Sequence, residues 1–262
     1  MISFERPNYL QKPMELLKEI IDHFEKVSLA ELDKVELMNR TDLKFCLHRK
    51  LVPAIFEAMK GHYSALEIDG ESVFNYHNIY YDTFDNQMYM CHHNGKLNRY
   101  KIRVRKYNQT GISYLEIKYK NNKGRTIKER IKCADFKESF DEKEASFIEA
   151  FSPFNPQELS PKIINTFKRV TLVNHGFTER VTIDFEPGFK NKNGEITLNN
   201  LVIVEVKQDK ASENATFVKT LKAYKVENQG FSKYCIGRSL LDEIKKNNFK
   251  PQLLKIQKQY LN

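Results

Sequence analysis

The sequence has no tryptophan, and its four cysteines, Cys46, Cys91, Cys133 and Cys235, form neither a CxxC pair nor a zinc-ligand spacing. A structural zinc site is therefore not expected, and a reduced, cytoplasmic chain is the simplest reading. No run of about 18 apolar residues occurs, so no transmembrane helix is expected. The opening residues, MISFERPNYL, carry charge where a secretory signal needs an apolar core. A Walker A loop is absent, so any phosphate cradle must be built from side chains. There is no internal repeat and no low-complexity linker. Acidic residues are outnumbered: 34 Asp/Glu stand against 43 Lys/Arg, a formal net charge of +9. That balance implies an anionic partner. At 262 residues, 40% hydrophobic, with 18 Phe and 13 Tyr, the chain can bury one large core as a single domain.

The stretch from Tyr100 to Lys132 is the most informative. It reads YKIRVRKY, then YLEIKYK, then NNKGR, then TIKERIK. Lys101, Arg103 and Arg105 share one parity, against Ile102 and Val104. Glu116, Lys118 and Lys120 share another, against Leu115, Ile117 and Tyr119. Lys128, Arg130 and Lys132 oppose Ile127 and Ile131. Side chains alternate faces along a strand, so each run is a ribbon with one charged and one apolar face. Three such ribbons joined by short turns predict an antiparallel meander. Its charged face holds eight Lys/Arg against one Glu. Like charges on neighbouring strands repel, so an anion is expected among them.

The same design recurs along the chain. A helix is predicted over 13–27, with Leu16, Leu17, Ile20, Ile21 and Phe24 as its apolar stripe. A strand over 35–47 sets Arg40, Asp42 and Lys44 on one face. A helix over 49–61 and an aromatic strand over 74–81 follow. Near that strand lie His77, His92 and His93, which lack a carboxylate at ligand spacing and read as structural or surface groups. A helix over 141–151 leads into an irregular connection marked by Pro153, Pro156 and Pro161. Strands over 167–173 and 178–186 flank Asn174-His175-Gly176, and the second sets Arg180, Thr182 and Asp184 on one face. Glu205 and Lys207 sit in the otherwise apolar strand LNNLVIVEVKQ. Helices are expected over 216–225 and 232–247, with a basic tail beyond.

These elements predict an α+β fold: an eight-stranded antiparallel β-barrel with a charged lumen, covered by peripheral helices. Closure would remove the sheet edges, and the apolar faces would bind the helices outside. The expected division is an N-terminal helical segment over 1–34, tunnel strands over 35–210, and C-terminal helices over 211–262.

The chain resembles the catalytic domain of the vacuolar transporter chaperone (VTC) complex in its stand-alone bacterial form, a triphosphate tunnel metalloenzyme of the CYTH-like superfamily. The resemblance rests on RTDLKF (40–45), YYDT (80–83), KIRVRKY (101–107), LEIKYK (115–120), KER (128–130), RVTID (180–184), VEVK (204–207) and FSKY (231–234), in order along most of the chain. It implies a tunnel that binds ATP and a divalent metal, Mn²⁺ or Mg²⁺. It implies transfer of the ATP γ-phosphate onto a growing polyphosphate chain with release of ADP. Carried over by position, Arg103, Arg105, Lys118 and Lys233 are the expected catalytic cations. Arg40, Lys44, Lys101, Lys120, Lys128, Arg130, Arg169, Arg180 and Lys207 are expected on phosphates. Glu205 is the expected metal ligand, with Asp42, Glu116 and Asp184 as further candidates. Lys120 stands where some members carry His. No membrane segment and no phosphate-sensing domain accompany the chain, which leaves room for a membrane partner protein.

One departure bears on the chemistry. Tunnel triphosphatases resemble one another in an ExExK strand whose two Glu bind metal. Here the strand reads Arg40-Thr41-Asp42-Leu43-Lys44, which favours polymer synthesis over hydrolysis. The alternatives are an inorganic or nucleoside triphosphatase of the same fold, and a non-catalytic polyanion binder. Nucleic acid is not expected, because the strand aromatics Phe45, Tyr114 and Tyr119 are assigned to apolar faces, whereas stacking platforms need aromatics on the ligand face. A polymer substrate predicts a tunnel open at both ends and cationic throughout.

Overall fold

The computed structural model describes residues 13–33, 40–209 and 216–261. In chain order they form α1 (Pro13–Asp22), β1 (Glu25–Val27), α2 (Leu29–Asp33), β2 (Arg40–His48), α3 (Val52–Met59), β3 (Tyr63–Leu66), β4 (Phe74–Thr83) and α4 (Gln87–His93). Then come β5 (Arg99–Tyr107), β6 (Ser113–Lys120), β7 (Thr126–Cys133), α5 (Glu142–Phe151), β8 (Leu159–Asn174), β9 (Glu179–Asn191), β10 (Gly194–Thr197) and β11 (Leu201–Asp209). The helices α6 (Thr216–Ala223), α7 (Lys233–Leu241) and α8 (Lys250–Gln259) complete the chain.

Eight strands run in the order β2-β11-β9-β8-β4-β5-β6-β7, each antiparallel to its neighbours. The eight-stranded antiparallel core and the α+β class agree with expectation. The sheet is not closed by hydrogen bonds between β2 and β7. Midway along the β2 edge, the chain leading to α7 makes an isolated bridge instead. The Lys44 backbone N–H donates to Asn228 Oδ1 at 3.1 Å, and the Gln229 N–H donates to the Lys44 carbonyl at 2.7 Å. An edge already paired cannot template another strand.

The outer faces are apolar and carry helices. Phe45 and Leu47 of β2, Val170 and Leu172 of β8, Val181 and Ile183 of β9, and Val202, Val204 and Val206 of β11 meet α1, α3 and α6. Ile102, Val104, Leu115 and Ile117 meet Phe147 and Ile148 of α5. That helix starts at a reciprocal cap: Asp141 accepts from the Glu144 N–H, and Glu144 accepts from the Asp141 N–H.

Several boundaries differ from the sequence reading. The predicted helix over 13–27 ends at Asp22, and residues 25–27 pair in parallel with β3. Pro161 lies inside β8 and not in a loop; the β4–β8 register shifts beside it, and prolines in sheets are confined to such irregularities and edges. The helix expected over 232–247 stops at Leu241.

Candidate functional site

The sheet curls so that its charged face lines an interior. Lys44 on β2 and Glu205 on β11, at one flank, act electrostatically on Lys118 of β6, at the other. Lys44 also acts on Lys101 of β5, and Glu205 on Arg169 of β8. The lysines and arginines of successive ribbons therefore converge on one space.

Three carboxylates sit among them, and each is clamped. Glu116, 1% exposed at the side chain, accepts from Arg103 Nε at 2.7 Å and pairs with Lys128 Nζ at 2.5 Å, with Arg105 Nε at 4.0 Å. Asp184 binds the Arg169 guanidinium through both oxygens, at 2.6 and 2.8 Å, and also accepts from Lys233 at the start of α7. Glu205 pairs with Lys44 Nζ at 2.5 Å and is the most open of the three at 22%. Burial alone would raise all three carboxyl groups. For Glu116 the charges of Arg103, Arg105 and Lys128 outweigh it, and for Glu205 those of Lys44 and Lys207, so both lie well below the usual carboxylate range. Arg169 and Lys233 bring Asp184 to about 2.

Against these three stand eight cations: Lys44, Lys101, Arg103, Arg105, Lys118, Lys128, Arg169 and Lys233. The surplus shows in the lysines. Burial pushes Lys101, Lys118 and Lys128 down to about 8, and neighbouring cations add to the shift. Lys101 faces Lys118 directly across β5 and β6, and Lys118 faces Lys128 across β6 and β7. Like charges opposed in this way disfavour the empty state, and an anion relieves them.

Aromatic rings on the same face hold the guanidiniums. Arg105 and Arg169 both lie over the Tyr76 ring, 5.2 and 5.1 Å from its centroid, and Tyr76 stacks on Phe167 at 5.1 Å. Arg103 donates to Tyr80 Oη at 3.1 Å, and Arg105 Nε donates to Asn78 Oδ1 at 2.9 Å. Tyr114 is a correction. It shares parity with Glu116, and Arg130 lies 4.8 Å over its ring, so it belongs to the charged face. These rings are covered by arginines. Tyr76, Asn78 and Tyr80 escaped the sequence reading because β4 shows no charge alternation.

The remaining candidates are spread around this centre. Asp42 is exposed and sits in register with Lys207, which acts on Glu205. Arg180 donates from Nη2 to the Leu32 carbonyl of α2 at 2.5 Å, which draws it toward the N-terminal helices. Lys120 is half-buried opposite Arg99, and Arg130 is exposed on β7. Arg40 opens β2, but its side chain lies outside the described residues. Of the histidines, His93 contacts Asn94 and Asn248, and His92 lies edge-on to Phe249 within reach of the charge of Lys101.

The interior is not cationic throughout. At one end Cys46, Tyr80, Ile163, Phe189 and Ile203 meet Tyr234, Cys235 and Ile236 of α7 in an apolar cluster. Helix α7 is anchored there by the Tyr234 hydroxyl donating to Asp82, and by Lys101 Nζ donating to Ser232 Oγ at 3.0 Å. Asp82 also accepts from the N–H groups of Met88 and Tyr89 at the start of α4, so the YYDT motif serves to tie two helices to β4.

No group of three His, Cys, Asp or Glu side chains converges on a metal position among the described residues. The donor set that does fit is the single carboxylate of Glu205, open on one side and facing the cationic space. One hard oxygen ligand suits Mg²⁺ or Mn²⁺ whose remaining positions are filled by phosphate and water.

Fold and interior together define an α+β protein built around an antiparallel sheet with a cationic inner face. The VTC domain model matches residues 39–242, and the chain belongs to that family. No curated protein matches the sequence. Among solved structures, it is similar to a putative adenylate cyclase from Vibrio parahaemolyticus, at 13% identity and TM-score 0.44, over 74% of this chain and 94% of that one. It is similar to a putative adenylyl cyclase from Hippeastrum described as having a dominant triphosphatase activity, at 12% identity and TM-score 0.48, over 77% and 96%. The RNA triphosphatase Pct1 of S. pombe aligns over 99% and 100% at 11% identity and TM-score 0.28. None of the described helices is long and apolar enough to cross a membrane.

Proposed function

We propose that the protein is a metal-dependent polyphosphate polymerase that uses ATP. A terminal oxygen of the polyphosphate chain attacks the γ-phosphorus, the bond from that phosphorus to the β,γ-bridging oxygen breaks, and ADP leaves. The reading is carried by one observation: eight cations and only three carboxylates share the charged face of one curled sheet. Phosphoryl transfer asks a protein chiefly to position phosphates and to stabilise charge on their oxygens. Arg103, Arg105 and Arg169 offer planar forks for bidentate phosphate contacts, and Lys44, Lys118, Lys128 and Lys233 offer compact charges. Lys101 extends the set toward α7. Glu205 is the residue to hold Mn²⁺ or Mg²⁺, which when bound neutralises charge on the phosphate oxygens.

The apolar cluster under α7 supports a second reading, a triphosphatase. A short triphosphate needs one mouth, whereas a polymer needs a way out. Incubation with ATP and Mn²⁺ decides between them. A ladder of polyphosphate with stoichiometric ADP supports the polymerase. Orthophosphate alone, with tripolyphosphate hydrolysed faster than ATP, supports the triphosphatase.

A further inference from the structure

Of the three interior carboxylates, Glu116 is the least suited to a metal. It is buried to 1%, and Arg103 and Lys128 hold its two oxygens from two different strands. Arg103 reaches it from β5 in direct register, and Lys128 comes from β7, two residues along from the paired Arg130. Arg105 stands 4.0 Å away and is held separately by Asn78 and the Tyr76 ring. A metal at Glu116 would have to displace cations already bonded to it, in a region where every near neighbour is positive. Glu205 is bonded to Lys44, feels the charge of Lys207, and is 22% exposed at the side chain. The two carboxylates thus differ in what surrounds them, although the sequence shows both simply as acids inside basic strands.

We propose that Glu116 is a positioning residue: a built-in counter-ion that holds Arg103 and Lys128 in place on adjoining strands, ready for the phosphates that enter between them. An unanchored arginine and lysine in a crowded cationic space would swing apart. The carboxylate fixes both at the cost of one negative charge in an anion site. The inference rests on the phosphate-binding reading of the interior and not on which reaction follows.

A consequence separates this role from the others. Removing the charge of Glu116 strengthens the pull of the site on an anion but loosens the groups that must meet it. Glu116→Gln keeps the shape and removes the charge. The probes are inorganic tripolyphosphate without metal, measured by calorimetry at pH 6.5, and turnover of ATP with Mn²⁺. We expect tripolyphosphate affinity unchanged or up to roughly tenfold tighter, kcat reduced by roughly tenfold or more, and the Mn²⁺ concentration for half-maximal rate unchanged. Glu116→Asp, whose carboxylate is one methylene shorter, should recover little of the kcat. If Glu116→Gln does not fold, Glu116→Asp, which keeps the buried charge but draws it back from Arg103 and Lys128, carries the same three readings.

A tenfold rise in the Mn²⁺ requirement would make Glu116 a metal ligand and overturn the proposal. So would wild-type kcat in a folded Glu116→Gln protein, which would reduce Glu116 to a stability role. If no ATP turnover is found in wild type, the reaction assignment fails while the binding arm still reports. In that case a Glu116→Gln affinity more than tenfold weaker at pH 6.5 sinks the counter-ion role, because it would mean that Glu116 helps to hold the anion itself.

Discussion

Lys44 and Glu205 stand directly opposite each other on β2 and β11, joined at 2.5 Å inside a sheet whose other strands crowd them with positive charge. The pair occupies the one interior carboxylate that remains open on one side. Under the proposed function, an incoming polyanion would compete for Lys44, and its release would leave Glu205 available to a metal carried by that polyanion. Glu205→Gln should therefore raise the Mn²⁺ concentration needed for half-maximal rate and lower kcat by roughly 100-fold. Tripolyphosphate binding without metal should persist. An unchanged metal requirement in the variant would remove Glu205 from the metal site.

Arg103→Ala tests the charged face in a different way. The eight-to-one imbalance read from the three ribbons implies that cations there only repel, so that removing Arg103 and Arg105 should leave an empty fold intact. The structure gives the opposite expectation, because Arg103 is bonded to the buried carboxylate of Glu116. Breaking a buried pair by removing one partner costs on the order of 3 kcal/mol, reduced here because Lys128 remains. Urea unfolding of Arg103→Ala should show a lower midpoint than wild type, and turnover should be lost. A midpoint equal to wild type would show the pair to be energetically neutral.

Anion binding should weaken from pH 7 to pH 9. Lys101, Lys118 and Lys128 lie at about 8 in the empty protein, and a bound polyphosphate favours their charged forms. Below pH 8 they are already charged and binding takes up few protons. Above it, each must gain a proton when the anion binds, so affinity falls toward tenfold per unit for each lysine involved. Calorimetry in buffers of differing ionisation enthalpy at pH 8.5 should register that uptake. In the ligand-free protein the sign is the reverse for stability. Charged lysines in this space cost free energy, and that cost lessens as pH rises from about 8 toward their unfolded value near 10.4.

Acid should unfold the protein through its interior. Glu116, Glu205 and Asp184 are held below their unfolded values by bonded cations, so their contribution is complete above about pH 4.5 and fades as pH falls toward their native values. The free energy of unfolding in urea should drop steadily between pH 5 and pH 2. A flat profile over that range would mean that the three ion pairs give no net stabilisation.

The charged ribbons were legible because strand periodicity is written residue by residue: Lys101, Arg103 and Arg105 against Ile102 and Val104 admit one arrangement. The same logic placed Lys44, Lys118, Glu205 and Asp184 on the inner face. What pairs with what was not legible. Glu116 looked like a solitary acid in a basic strand, and only the curl of the sheet shows it bonded to Arg103 and Lys128. Tyr76, Asn78 and Tyr80 were missed because an uncharged strand carries no sign of which face is inside. Edge closure was misjudged for a related reason. The chain around Asn228 and Gln229 has no strand pattern, yet it bridges to the middle of β2. The short pairings of β1 and β3 depend on contacts made far along the chain.

Gly237 tests whether α7 must sit where it does. A Cβ at this position would lie 2.4 Å from Phe189 Cδ1 and 2.7 Å from Ile163 Cδ1, both belonging to buried side chains of the apolar cluster. Alanine favours a helix over glycine by about 1 kcal/mol, so propensity alone predicts that Gly237→Ala stabilises. The clash predicts the contrary, since forcing an extra carbon into a packed core costs about 1–3 kcal/mol. The packed core should win, because Phe189 and Ile163 lie on different strands and both are enclosed. The expected result is a Tm lower by a few degrees. The helix carries Lys233 to Asp184 and Ser232 to Lys101, so its displacement should also reduce turnover more than tripolyphosphate binding. A higher Tm with full activity would show that α7 can move off the sheet freely, and that its Lys233 does not need this seat to act.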